Sequence, residues 1–447
     1  MSEQSDSPGQ ERSALRLLIV AEHASAQFGG EAALALHYFR VFRQRGMAVW
    51  LVTHARRREE LTGLFPSEQR IHYIEDTPLH RLMHRLGSKL PTRIAFFTLG
   101  FVSRLSTQVA QRQVVRRLVA EAGIDVVHQP MPVSPREPSM MFGFGVPVLI
   151  GPMNGGMDYP PAFRRHRGPG ERAMFGVGKL ASGLLNRLMP GKRQAALLLV
   201  ANERTRRALP AGINTRVHEV VENGVDLALW RPVTAERPEP SEVTTFVFMG
   251  RLVALKAVDI LLRAFKAASA QVRIRLVIIG DGVERQRLQA LASRLGLGDG
   301  KQDGQGQVCF TGWLSQRTCA ESLVRADCLV LPSIHECGGA VVLEAMSMSK
   351  PVIATAWGGP LDYLDASCGV LVPPDSPERL TEGFAEAMVR LAASPAERES
   401  MGRAGRAKVL RDYDWEVKAD RMLELYDAAR RVRKPEPSID PKRPHPT

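Results

Sequence analysis

Residues 328–346 read Cys328-Leu-Val-Leu-Pro-Ser-Ile-His-Glu336-Cys-Gly-Gly339-Ala-Val-Val-Leu-Glu344-Ala-Met346. A short apolar run, the length of a buried strand, enters a polar turn closed by two glycines, and a helix-forming run begins at Ala340. A strand that passes through a glycine turn into a helix is the half-unit of a parallel sheet with crossover helices. The first turn of such a helix offers unsatisfied N–H groups and the positive end of its dipole, so an anion is favoured there. Two carboxylates flank the turn. Glu336 precedes the helix, and Glu344 lies about one and a half turns into it among apolar neighbours, where a carboxylate is costly without a partner such as a hydroxyl pair. Read alone, the pair also fits a surface loop acid and a salt-bridged helix residue.

The same alternation extends outward in both directions. Around the quoted stretch, strands are expected at Thr245–Met249, Ile274–Ile279, Val308–Thr311, Val352–Ala354 and Gly369–Val372, with helices at 257–269, 284–295, 315–325, 340–348 and 377–392. An earlier series has strands at Leu15–Ala21, Ala48–Thr53, Ile71–Ile74, Asp125–His128, Val146–Ile150 and Leu197–Ala201, and helices at 31–45, 78–90, 103–122 and 203–209. The fold class expected is therefore α/β, with two doubly wound domains at residues 15–226 and 244–412. The proline-rich, aperiodic stretch 227–243 reads as a linker. A helix at 413–432 is expected to pack back towards the first domain, and residues 1–14 and 433–447 to be disordered. Ligands of open parallel sheets sit beyond the carboxyl ends of the strands, so the expected site is a cleft between two facing sheets.

The 447 residues carry 60 Lys+Arg against 47 Asp+Glu, a net charge of +13. That charge is regional. Residues 78–120 hold eight Arg/Lys and no acid, residues 160–195 hold eight against Glu171 alone, and the remainder is nearly neutral. No helix-turn-helix, zinc or aromatic RNA-binding signature accompanies the charge, which argues against nucleic acid. Five cysteines, at 309, 319, 328, 337 and 368, show no paired or zinc-type spacing, so a reducing compartment without a structural metal is expected. Met1–Ser13 lacks the basic-then-apolar pattern of a secretory signal, and no apolar run approaches a membrane span. The expected location is cytoplasmic, at the inner face of the plasma membrane.

Two further strand-end segments carry chemistry. Gly250-Arg251-Leu-Val-Ala-Leu-Lys256-Ala-Val-Asp259 places two cations where they can clamp a diphosphate, Arg251 by its fork and Lys256 as a point charge, although exposed basic residues in an ordinary strand-turn-helix look the same. Gly280-Asp281-Gly282 is a strand-end turn common to many α/β proteins.

In this order and spacing the three segments resemble the family 4 retaining glycosyltransferases of the GT-B fold. Glu336-x7-Glu344, followed by Ala-Met and by Lys350-Pro351 through Gly359-Pro360, is the most specific part, and the likeness spans residues 15–430. The resemblance implies two Rossmann-like domains facing across a cleft and transfer of a glycosyl unit from a nucleotide-diphospho-sugar to a hydroxyl with retention. It implies that Arg251 and Lys256 neutralise the donor diphosphate, helped by the N–H groups of Ala340 and Val341. Glu344 would accept the ribose hydroxyls, and Glu336 would attend the transferred sugar. Gly280, Asp281, Gly282 and Trp313 would line the nucleobase, Gly338 and Gly339 would open the helix, and Gly29 and Gly30 would admit the phosphates to the first domain's loop. His128, at a strand end, matches a family histidine and is a catalytic candidate, with a structural role equally open. Asn154, Gly155, Gly156 and Asp158, in a glycine- and proline-rich strand-end loop, are expected to shape the acceptor pocket. The chain departs from the family pattern where Cys337-Gly338 replaces Gly-Phe and where Ala257 replaces Gly.

Classical two-carboxylate retention needs a second acid about 5 Å from the first. None is evident beside Glu336, so a front-face route in which the departing diphosphate helps deprotonate the acceptor is expected, with no cofactor and no metal. Arg81, Arg85, Lys89, Arg93 and Arg104 interleave with Leu82, Leu86, Leu90, Phe96, Phe97 and Phe101, an interfacial character. It suggests a lipid-linked or envelope glycan acceptor met at an anionic membrane through residues 78–120 and 160–195. A nucleotide-sugar epimerase of the same architecture and a catalytically idle sugar-nucleotide-binding protein are the alternatives.

Overall fold

The computed structural model describes residues 15–26, 30–90, 95, 98–166, 182–213, 215–232, 242–298 and 306–432. Gly29, Arg93, Phe96, Phe97, residues 167–181 of the second basic window, residues 233–241 of the expected linker and both termini lie outside them. The described residues divide into two compact units.

The first unit comprises residues 15–153, 182–220 and 419–432. Its strands are β1 (Arg16–Val20), β2 (Ala48–His54), β3 (Ile71–Ile74), β4 (Val126–Gln129), β5 (Val148–Met153), β6 (Leu197–Val200) and β7 (Val217–Glu219), in the order β3-β2-β1-β4-β5-β6-β7. Every pairing is parallel, so crossover helices cover both faces and β4 and β6 are buried throughout. Among the helices that accompany the sheet are α1 (Glu31–Gln44), α2 (Arg58–Leu64), α3 (Pro78–Gly87), α4 (Leu99–Ala122) and α5 (Glu203–Arg207). Helix α1 buries Leu34, Tyr38, Val41 and Phe42, a helical spacing that makes one apolar stripe. Helix α3 starts on a capping box between Thr77 and His80 with Pro78 in its first turn.

The second unit comprises residues 154–166 and 221–418. Its strands β8 (Thr244–Met249), β9 (Ile274–Ile279), β10 (Gln307–Gly312), β11 (Cys328–Leu331), β12 (Val352–Thr355) and β13 (Gly369–Val372) run in the order β10-β9-β8-β11-β12-β13, again all parallel. Helices α6 (Val258–Ser269), α7 (Arg285–Arg294), α8 (Gln316–Arg325), α9 (Ala340–Ser347), α10 (Pro377–Ala393) and α11 (Pro395–Asp412) alternate with or follow these strands. Leu261, Leu262 and Phe265 of α6 and Leu380, Phe384 and Met388 of α10 are fully buried in one core. Each such side chain contributes about 1.5–3 kcal/mol.

The partition departs from the expected boundary at 226. The loop after β5 groups with the second unit from Asn154 onward, as does the chain from Val221. Helix α12 (Trp415–Val432) is divided, with residues 419–432 in the first unit, where Met422, Leu425, Tyr426 and Ala429 are buried and Tyr426 lies 5.9 Å from the Phe42 ring.

Candidate functional site

In the second unit the chain leaves β8 towards β9 and β10, then returns to β11 on the other side of β8. The strand order therefore reverses between β8 and β11, the position at which open sheets hold ligands beyond their carboxyl ends. Gly250-Arg251 follows β8, and the Glu336 turn follows β11. The Gly280-Asp281-Gly282 turn is packed backbone to backbone against the first of these. A Cβ on Gly280 would fall 1.9 Å from the Gly250 carbonyl oxygen, and one on Gly282 would fall 2.3 Å from that of Leu252. The Leu252 N–H donates to the Asp281 carbonyl at 2.8 Å. Asp281 is an exposed acid that accepts from the Gly282 N–H at 2.7 Å and pairs with Arg285 at 2.9 Å, and these contacts, the Gly282 N–H foremost, hold its carboxyl below the usual range. Trp313, just beyond β10, leaves its indole 69% exposed.

Lys256 closes a short 3-10 turn and forms an ion pair with Glu336; each side chain is 13% exposed. Arg251 is exposed and makes no ion pair among the described residues. Ala257, between the turn and α6, adopts φ 48° and ψ 38°. A non-glycine residue costs about 1 kcal/mol there, which is the physical reason the family pattern carries glycine at this place.

The Glu336–Gly339 loop is braced by Gly358-Gly359. The Gly359 N–H donates to the Glu336 carbonyl at 2.7 Å, and a Cβ on Gly359 would meet the Gly338 oxygen at 1.9 Å. Gly339, at φ 83°, hands the chain into α9, whose first N–H groups at Ala340 and Val341 have no intrahelical acceptor. Glu344 is half-buried on that helix, and its carboxylate makes no hydrogen bond or ion pair among the described residues. Burial pushes its carboxyl up to about 7. Its charge also contributes, after burial, to raising the Cys319 thiol to about 11.

Beneath the loop lies a buried polar node not anticipated from the sequence. Asn154 donates to Glu222 Oε1 at 2.6 Å and to the Cys337 carbonyl at 2.9 Å, and Asn223 donates to the same Oε1 at 3.0 Å and to the Tyr363 hydroxyl at 2.9 Å. Lys418, also buried, donates to the Val221 carbonyl, and burial lowers its amine to about 8. The only available signal was Glu222-Asn-Gly-Val-Asp226, a turn after the short strand β7. Asn154, expected to shape the acceptor pocket, is 5% exposed, with its amide nitrogen on Glu222 and Cys337. Asp158 accepts from the Tyr159 N–H at 2.7 Å, and its carbonyl accepts from the Trp357 indole at 2.8 Å. Gly155 is half-buried and Gly156 exposed in the same loop.

In the first unit His128 is fully buried. Its Nε2 donates to the Gly151 carbonyl and its Nδ1 accepts from the Tyr426 hydroxyl, each at 2.7 Å, and burial lowers it to about 4. Both ring nitrogens of His128 are thus engaged, and no edge of the ring is exposed. Gly30, at φ 69°, opens α1. His54, Asp76 and His80 bring ligand atoms within 4.8 Å of one another. Most of these atoms are already engaged, however. The Arg56 N–H donates to His54 Nδ1, the Thr77 N–H donates to His80 Nδ1, and Arg56 holds Asp76 at 2.6 Å, while His54 Nε2 lies 3.5 Å from Asp76 without a hydrogen bond among the described residues. The five cysteines are free.

The basic windows resolve into unlike parts. Arg104 pairs with Glu137, Arg112 donates to the Met140 carbonyl and lies over the Phe142 ring, and Lys192 is buried on the Ser134 and Pro135 carbonyls. Arg81, Arg85 and Lys89 are exposed and unpaired among the described residues, beside exposed Leu79, Leu82, Leu86 and Leu90.

The comparisons bear on the second unit most strongly. The model of a family described as glycosyl transferases group 1 matches residues 233–408. The matched residues include Arg251, Lys256, Glu336 and Glu344. Among curated proteins, the D-inositol 3-phosphate glycosyltransferase of Segniliparus rotundus is 36% identical over 227 residues, covering 48% of this chain and 47% of the relative. That of a Nocardioides species is 35% identical over 228 residues, covering 47% and 48%. The chain thus spans about half the length of the curated relatives it matches. Among solved structures, sucrose-phosphate synthase from Thermosynechococcus elongatus superposes with a TM-score of 0.65 at 20% identity, covering 93% of this chain and all of that one. HepE of Anabaena in complex with UDP gives 0.62 at 15%, covering 93% of this chain and all of the other. Two all-parallel sheets, each with one reversal of strand order, make the fold that of the GT-B class.

Proposed function

We propose that the protein is a retaining glycosyltransferase that moves a sugar from a nucleotide-diphospho-sugar to a hydroxyl acceptor. The observation that carries this reading is the content of the β8/β11 switch point: an exposed Arg251, the Lys256–Glu336 pair, a glycine-opened helix and the unpartnered Glu344 on one sheet edge. A diphosphate meets fixed positive charge there, from Arg251, Lys256 and the N–H groups of Ala340 and Val341. The same groups stabilise the charge that develops on the leaving diphosphate, which takes the place of a metal. Glu344 accepts the ribose hydroxyls, which suit a half-buried carboxylate without a described partner. Glu336, held against Lys256, attends the sugar as positive charge develops on it. The exposed Trp313 offers the base a flat apolar face.

For the acceptor, α3 and the residues just after it present leucines and unpaired cations together, with Arg81, Arg85 and Lys89 suited to an anionic lipid surface. A lipid-linked or envelope glycan, reached from the cytoplasmic face of the membrane, is the acceptor class this favours. Proton NMR of the first sugar released from an α-configured donor tests the reaction: an α anomer at early times supports retention, and a β anomer refutes it. Flotation with anionic vesicles at low salt tests the surface, with binding expected and its loss on changing Arg81, Arg85 and Lys89 to Glu.

A further inference from the structure

Resting on that donor site, we propose that Glu222 is a positioning residue for the Glu336–Gly339 loop, acting through Asn154 and by direct packing beneath Gly338. Carboxylate and carbonyl oxygens only accept, so the two hydrogens of one amide nitrogen must serve both Glu222 Oε1 and the Cys337 carbonyl. A flipped Asn154 would set its own oxygen against two acceptors. The carboxylate therefore dictates the amide's orientation, and the amide fixes the peptide that follows Glu336. Contact from below is closer still: a Cβ on Gly338 would fall 2.5 Å from both Glu222 Oε1 and Asn223 Nδ2. The volume a larger residue at 338 would occupy is filled by this node, which accounts for glycine where the family pattern has phenylalanine. Gly359 clamps the loop from the other side through the Glu336 carbonyl, so the Glu336 backbone is held between two supports.

Glu222 is 5% exposed, and its Oε2 is buried without a described partner. Burial raises its carboxyl; Asn154, the Glu222 N–H and Lys418 oppose the rise, and Asp362 adds to it. A group costly to bury, serving two amides with one oxygen, is poorly explained by packing alone.

The test uses the full-length chain with Glu222→Ala, Glu222→Gln, Asn154→Ala and Tyr363→Phe, read in two ways. Iodoacetamide labelling of Cys337, followed by peptide mass spectrometry, reports the loop without any donor. Labelling is expected to accelerate at least about threefold in Glu222→Ala and Asn154→Ala, and not in Glu222→Gln, whose oxygen still accepts from both amides. Tyr363→Phe removes a neighbour of Asn223 but leaves the Asn154–Cys337 bond, and is also expected to match wild type. Turnover is then measured as nucleotide release from UDP-, GDP- or ADP-glucose. A tenfold or greater loss of kcat in the two alanine variants is expected, with nucleotide affinity within threefold and no further loss in the double variant. Labelling unchanged in Glu222→Ala, or raised equally in Tyr363→Phe, overturns the proposal. Accelerated labelling in a protein whose wild type binds none of the three nucleotides supports the proposal and refutes the donor reading instead.

Discussion

Glu344→Gln is the substitution whose consequences follow most directly from the geometry. The carboxyl sits half-buried on α9 without a described partner and is raised from 4.5 to about 7 by burial. At about 1.4 kcal/mol per pKa unit the shift corresponds to about 3 kcal/mol, and partial solvent contact reduces this to about 1–3 kcal/mol. Between pH 4.5 and 7 the folded protein binds the proton that the unfolded chain has released, so stability falls as pH rises through that window and levels off above it. A neutral glutamine removes that dependence. The variant should match wild type near pH 4.5 and exceed it by about 1–3 kcal/mol at pH 8, several degrees in the melting temperature of this unit. Nucleotide affinity should move the opposite way, since loss of the charge-assisted bonds to a ribose costs about 1.5–3 kcal/mol, roughly ten- to a hundredfold. Differential scanning fluorimetry from pH 4.5 to 8.5, with calorimetric titration of UDP, GDP and ADP at pH 8, reads both. A stability difference that does not change with pH, or a variant that gains stability and keeps full nucleotide affinity, refutes the reasoning.

Three other outcomes are expected. Ala257→Gly should stabilise the protein by about 0.5–1 kcal/mol in thermal unfolding, because the residue's φ of 48° is free to glycine, with nucleotide binding unchanged. Gly280→Ala should lower the melting temperature and weaken nucleotide binding at least tenfold in calorimetry, because its Cβ would sit 1.9 Å from the Gly250 oxygen and must push the Arg251 turn aside. His128→Ala should destabilise by about 2–4 kcal/mol, leaving the Tyr426 hydroxyl and Gly151 carbonyl unpaired around a cavity, while the pH profile of kcat stays that of wild type.

The alternation of apolar runs and helical patterns was enough to place twelve of the thirteen strands among the described residues, because strands buried on both faces read as continuous apolar segments. β7 escaped, since Val217-His-Glu has no apolar run, as did α2, a two-turn helix among charged residues. The strand-end cations and the Glu336-x7-Glu344 pair were legible for a similar reason: glycine turns at carboxyl edges are local features. What was not legible depends on contacts far apart in the chain. Asn154 meets Cys337 across 183 positions and His128 meets Tyr426 across 298, so neither contact could be read from its sequence neighbours. Glu222 was invisible for the same cause, and the basic windows hid the difference between a buried Lys192 and an exposed Arg85.

The central claim, that the β8/β11 edge of the second unit binds a nucleotide-diphospho-sugar, is tested most directly by calorimetric titration of the full-length protein with UDP-, GDP- and ADP-glucose. The account predicts saturable one-to-one binding of at least one of them, weakened tenfold or more in Arg251→Ala and in Glu344→Ala. Absence of binding to all three, or binding that both variants retain in full, would contradict it.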